Sequence, residues 1–199
     1  MSVEMDALPQ PAAPEAVATP GWTPRRTLVI LGAVVVLYVS TYALAWFSAY
    51  RLSLTYLGDA NASFEAGNYL DALVGHKDFD RATGRYISYG GYMQIERIWA
   101  DPYAQPVPPE VVQARARIDE IVYGLLTRED AERFVRENAG RNNPYLGMIY
   151  LRLGELYEAA GETRDAEDIY ASFADLFPDE VALIARAQAH LARLQAAGN

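Results

Sequence analysis

From Thr27 to Tyr50 the chain reads TLVILGAVVVLYVSTYALAWFSAY, without one charged residue. An α-helix rises about 1.5 Å per residue, so roughly 20 such residues cross the hydrocarbon of a bilayer. Residues 27–50 are therefore expected to form a transmembrane helix. In a chain of 199 residues, that leaves room for one ordinary domain outside the membrane. The competing reading is a cleavable signal sequence, because Ala43, Leu44 and Ala45 fit the small-x-small pattern of a cleavage site. The length of the run and the character of the tail before it favour the span. That tail, residues 1–26, carries Pro9, Pro11, Pro14, Pro20 and Pro24 among Ala, Glu and Thr. It has too little apolar surface to offset the entropy of ordering it, and is expected to be a disordered Pro/Ala-rich segment.

Basic residues favour the cytoplasmic side of a span. Arg25 and Arg26 precede the apolar run, whereas Arg51 stands alone after it. The expected topology is single-pass in an inner (plasma) membrane, with the N-terminus cytoplasmic and residues 51–199 periplasmic or otherwise extracytoplasmic. The chain has no cysteine, so an exported domain would be stable by packing alone. Within the span, Ser40, Thr41, Ala45 and Ser48 are small or hydroxylated, a character that lets a second helix approach and hydrogen-bond. Trp46 and the neighbouring tyrosines could equally be an aromatic belt at the outer interface.

The net charge is −9, and beyond Arg51 the acidic excess is spread along the chain. Nucleic acid is not an expected partner, since its binding depends on a basic surface that neutralises phosphates. Apolar residues recur at spacings of three and four, and alternating strand patterns are not evident, so the expected fold class is all-α. Tyr150, Leu153, Tyr157 and Ala160 fall on one helical face, and Ala166, Tyr170 and Phe173 on the face of the next helix. Gly161 lies between them, where positive φ ends a helix well, and Pro178 closes the unit.

In order, Tyr150, Leu153, Gly154, Tyr157, Gly161, Ala166, Tyr170 and Pro178 resemble a tetratricopeptide repeat, a helical hairpin of about 34 residues. The resemblance is most specific over residues 145–178. It implies that Gly154 and Ala166 lie where the two helices touch. One hairpin does not bury its own apolar face, so further units are expected. SFEAGNYLDALV keeps Gly67, Tyr69 and Ala72 at the spacing of such a turn, after Ala60 and Phe64. EVVQARARIDEIVYGLLTREDAERFV offers Ile118, Val122 and Leu126 facing Ala131 and Phe134. Residues 179–196, with Asp179 as N-cap, have the pattern of a terminal capping helix. The whole is expected to be a TPR-like α-solenoid whose first helix leaves the membrane through Leu54 and Leu57.

Glu155, Glu158, Glu162, Asp165, Glu167 and Asp168 lie between the seam positions and are expected to form a solvated face with Arg152 and Arg164. Catalytic carboxylates need burial or a close like charge, for which the sequence supplies no reason. His76, Asp78 and Asp80 form too generic a cluster to indicate a metal. No catalytic residue, metal ligand set or cofactor motif is assigned, and no small-molecule substrate is expected. RYISYGGYMQIERIWADPYAQPVPPE, residues 85–110, concentrates Tyr86, Tyr89, Tyr92, Trp99 and Tyr103 in an irregular segment. Such aromatics are either partner contacts or filling between hairpins.

Two functions of different class follow. One is a non-catalytic, membrane-anchored scaffold or accessory subunit that binds and stabilises other protein subunits, including membrane-embedded ones, of a bacterial membrane complex. An energy-transducing, electron-transfer complex is one such setting. The other is a membrane-tethered ancillary chaperone for exported proteins.

Overall fold

The computed structural model describes residues 24–197. The expectation of a disordered tail falls mostly on residues 1–23, outside the described residues. Pro24, Arg25 and Arg26 depart from it, because they form the first turn of helix α1 (Pro24–Glu65). Proline is well accepted there, since the first N–H groups of a helix have no intrahelical partner.

The chain divides into two compact units, residues 1–44 and 45–199. Among its described residues the first consists of α1 up to Leu44, with every side chain exposed. The apolar window of α1 has a mean hydropathy of 2.3 and buries none of its residues within the protein. α1 is the one helix among the described residues long and apolar enough to cross a membrane. It is compatible with a single membrane span, and equally with a signal sequence near the N-terminus.

The second unit begins with Ala45–Glu65 of α1, which bury Ser53, Ala60 and Ser63 along one stripe. The unit starts ahead of Arg51, because Trp46, Ala49 and Tyr50 already pack against its core. At the end of α1 the chain reverses at Gly67 (φ +78°), where Asn68 N–H donates to Ser63 O. α2 (Tyr69–Val74) then buries Leu70, Ala72 and Leu73 and stops at Gly75.

Here the structure departs from the helical expectation. β1 (His76–Asp80) and β2 (Arg85–Tyr89) form an antiparallel hairpin pairing His76 with Tyr89 and Asp80 with Arg85. Most of its side chains are exposed on both faces, so no period-two apolar pattern marks it in the sequence. Two close approaches anchor its base. Gly75 adopts φ +76°, and a Cβ there would overlap Tyr89 O and crowd Gly91 N. A Cβ at Gly90 would overlap the ring of Tyr56.

α3 (Tyr92–Ile98) and α4 (Pro109–Glu120) follow, and α4 continues into a wide turn over Ile121–Leu125 closed by Leu126 N–H to Ile121 O. α5 (Arg128–Asn138) starts at Thr127, whose hydroxyl oxygen accepts the Asp130 N–H. Ile118, Val122, Leu126, Ala131 and Phe134 are all buried where these elements meet. From α3 onward each helix packs chiefly on its neighbour in sequence.

α6 (Leu146–Ala159) and α7 (Thr163–Leu176) form the most regular pair. Leu153, Gly154, Ala166 and Tyr170 are buried at their seam, with Tyr150 and Tyr157 half-buried at its edges. Ala160, grouped with that face by spacing, is exposed past the end of α6. A Cβ on Gly154 would lie 2.7 Å from Tyr170 Cε1 and 2.9 Å from Ile169 Cγ2, so glycine permits the approach. Gly161 takes φ +78° in the turn, the conformation that suits a helix C-terminus. α7 ends before Phe177, as the residue preceding a proline is pushed out of helical geometry, and Pro178 is exposed. α8 (Val181–Ala197) begins two residues beyond Asp179, the expected cap, and buries only Ala187 completely.

Candidate functional site

The aromatic segment 85–110 separates into two parts. Tyr92 and Trp99 are core residues, held from opposite ends of α3 against α1. The Tyr92 hydroxyl donates to Asn61 Oδ1 at 2.6 Å, and Trp99 Nε1 donates to Ser53 Oγ at 2.8 Å. Ser53 in turn donates to Ala49 O, so the buried indole N–H is satisfied through the helix itself. Tyr89 is half-buried and stacks on His76 with ring centroids 4.6 Å apart. Tyr86 and Tyr103 are 72% and 84% exposed. Tyr86 meets Phe79 edge-on across the hairpin, and Ile87 is exposed beside it.

A second cluster forms around Trp46, whose ring stacks on Tyr50 and meets Trp99 edge-on. Trp46 Nε1 donates to Pro106 O at 2.9 Å, and the Tyr50 hydroxyl donates to Glu110 Oε1 at 3.2 Å. The proline-rich segment is therefore tied back to α1 at two successive turns. Of the small residues in α1, Ser40, Thr41, Ala45 and Ser48 are exposed, and the Thr41 hydroxyl donates to Leu37 O within its own helix.

An open groove of about 550 Å³ lies among the end of α5, the loop after it, the start of α6 and the end of α7. Val135, Leu146, Tyr150, Leu176 and Phe177 give it an apolar wall, and Arg141, Asn142 and Asn143 a polar rim. Leu176 is 56% exposed there. Tyr150 packs against Phe173 and Phe177, which fixes the floor. An apolar wall with a few polar groups at its edge is the usual make-up of a recognition groove.

The acidic face of α6 is a correction to the sequence reading. Glu155 and Glu158 are not solvated: their side chains are 11% and 19% exposed beneath α8. Arg152 Nη1 and Arg186 Nη2 donate to Glu155 at 3.1 and 2.6 Å. Glu158 accepts from Arg193 Nη2 at 2.6 Å and the Tyr170 hydroxyl at 3.0 Å, with His190 Nδ1 at 2.8 Å. Burial pushes Glu158 up, but the hydrogen bonds from His190, Arg193 and Tyr170 outweigh it and hold the carboxyl below the ordinary glutamate range. A carboxylate held ionised in this way clamps helices together, whereas a general acid at neutral pH needs the opposite shift. Burial, followed by the neighbouring Glu158 carboxylate, pushes the Tyr170 hydroxyl up, so it stays a donor to Glu158. Burial and then Glu132, which accepts the Tyr157 hydroxyl at 2.8 Å, raise Tyr157 to about 12.

His76 Nε2 lies 3.6 Å from Asp78 Oδ2, while Asp80 accepts from Thr83 and Ala82 N–H in the hairpin turn. Among the described residues no group of three His, Cys, Asp or Glu side chains is placed to hold a metal ion.

Taken at the level the fold defines, this is a mostly helical chain with, among its described residues, one candidate membrane helix and an open surface groove. No family model matches it, and neither a curated protein nor a solved structure does.

Proposed function

We propose that the chain is a membrane-anchored, non-catalytic scaffold with a TPR-like helical domain, serving as an accessory subunit that binds partner subunits of a membrane complex. The observation that carries this reading is the apolar groove of Leu146, Tyr150, Leu176 and Phe177, open to solvent on a unit joined to a candidate membrane helix. The α6–α7 pair, with Gly154 at the helix contact, supports the likeness to tetratricopeptide repeats, which generally bind proteins along grooves of this kind. The charge bias of Arg25 and Arg26 against Arg51 supports a cytoplasmic N-terminus and an extracytoplasmic domain.

Native mass and subunit content after gentle detergent extraction test the proposal. A discrete assembly with fixed stoichiometry is the expected result, and haem or pigment absorption in that fraction would assign it to electron transfer. A small particle carrying heterogeneous, substoichiometric clients would replace the scaffold with a tethered chaperone.

A further inference from the structure

We propose that the segment Ala100–Val107 is a second membrane contact, seated in the headgroup layer of a zwitterionic leaflet beside Trp46 of α1. The proposal rests on α1 being a membrane span, and it follows from height along that helix. Roughly 20 helical residues cover the hydrocarbon, and twenty residues counted from Thr27 end at Trp46. Tryptophan and tyrosine favour that boundary, where an apolar ring meets water at its polar edge.

The Trp46 N–H would normally face water or headgroup oxygens at this depth. Instead it donates to Pro106 O at 2.9 Å, which places the Pro106 carbonyl at the same height as the indole. One turn further out, Tyr50 is tied to Glu110, so the chain climbs only about 6 Å between Pro106 and Glu110. Trp99, which meets Trp46 edge-on while its Nε1 donates to Ser53 Oγ two turns further along α1, ties the start of the segment between these two levels. Between these ties the backbone folds on itself: Tyr103 N–H donates to Asp101 Oδ1, and Ala104 N–H to Asp101 O. The Tyr103 ring, 84% exposed, is thereby presented close to the boundary, where its amphipathic character is accommodated best.

The choice of lipid follows from charge. No lysine or arginine occurs between Arg97 and Arg115, and the segment carries Asp101, with Glu110 just beyond it. Anionic headgroups draw on basic clusters, so this contact belongs to neutral or zwitterionic lipid and is indifferent to salt.

The chain has no cysteine, so single cysteines carry spin labels cleanly. Tyr103→Cys, Gln105→Cys, Val35→Cys and Arg164→Cys, each in the full chain, are reconstituted into phosphatidylcholine vesicles. Collision with oxygen and with a water-soluble nickel chelate is read at each. Labels at 103 and 105 are expected at interfacial depth, shallower than 35 and shielded from nickel relative to 164. Added salt or phosphatidylglycerol should leave them unchanged. Water-like labels at 103 and 105 with a deep label at 35 would overturn the proposal while leaving the span intact. Shielding that requires phosphatidylglycerol would overturn the zwitterionic assignment. A water-like label at 35 would overturn the membrane span itself.

Discussion

Two glycines inside helices should respond to the same substitution with opposite sign. Alanine is favoured over glycine in a helix interior by about 1 kcal/mol. At Gly58 in α1 an added Cβ meets no atom within 4 Å, so Gly58→Ala should realise that gain in full. At Gly154 the same methyl would lie 2.7 Å from Tyr170 Cε1 and 2.9 Å from Ile169 Cγ2, well inside the roughly 3.5–4.0 Å of a relaxed carbon contact. The ring is not free to swing aside, because its hydroxyl is held by Glu158 and its face lies against His190. Overpacking costs about 1–3 kcal/mol, and with the ring fixed the upper half of that range applies. Subtracting the helix term leaves Gly154→Ala destabilising by about 1–2 kcal/mol. For a domain of this size 1 kcal/mol moves Tm by about 2–4 °C. Melting of the full chain in detergent, followed by near-ultraviolet circular dichroism, should show Gly58→Ala above the parent and Gly154→Ala below it. Equal upward shifts would refute the close α6–α7 contact. A further drop with Gly154→Val, in proportion to added volume, would support it.

Glu158→Gln should lower stability by about 2 kcal/mol, since it weakens charged hydrogen bonds of roughly 1.5–3 kcal/mol each. Because the folded carboxyl is held low, its stabilisation is present above 4.5, the ordinary glutamate value. It is lost as pH falls through the depressed folded value. Tm against pH should therefore fall less steeply in acid for Glu158→Gln than for the parent, and parallel curves would contradict the clamp. Trp99→Phe should cost about 2–3 kcal/mol from lost packing and the lost indole donor to Ser53, whose hydroxyl keeps only its bond to Ala49 O. Adding Ser53→Ala should recover part of it, with a coupling of at least about 0.5 kcal/mol in a double-mutant cycle.

What was legible in the sequence was what repeats locally. The apolar run, the α6–α7 turn at Gly161 and the buried set Ile118, Val122, Leu126, Ala131 and Phe134 all declare themselves through composition or spacing. The β1–β2 hairpin does not, because its exposed faces carry no alternation. Its available signal was the aromatic and β-branched run RYISY between Gly84 and the Gly90-Gly91 pair. The true state of Glu155 and Glu158 was hidden for a different reason. Their spacing on α6 is that of a wet face, and only the docking of Arg186, His190 and Arg193 from α8, some thirty residues later, takes them out of water. Likewise Tyr92 and Trp99 were indistinguishable from Tyr86 and Tyr103 until Asn61 and Ser53 of α1 were seen to receive them.

The way α8 is held has a consequence for local opening of the domain. Free energies of partial unfolding vary along a structure, and the least apolar attachments open first. α8 completely buries only Ala187 and otherwise relies on half-buried aliphatic residues and the clamp to α6. Its backbone amides should therefore exchange with solvent ahead of those of α6 and α7, and acid or concentrated salt should widen that gap. Each opening would uncover Tyr170 and the adjoining surface of α7, so the apolar area this domain shows to solvent depends on pH and ionic strength.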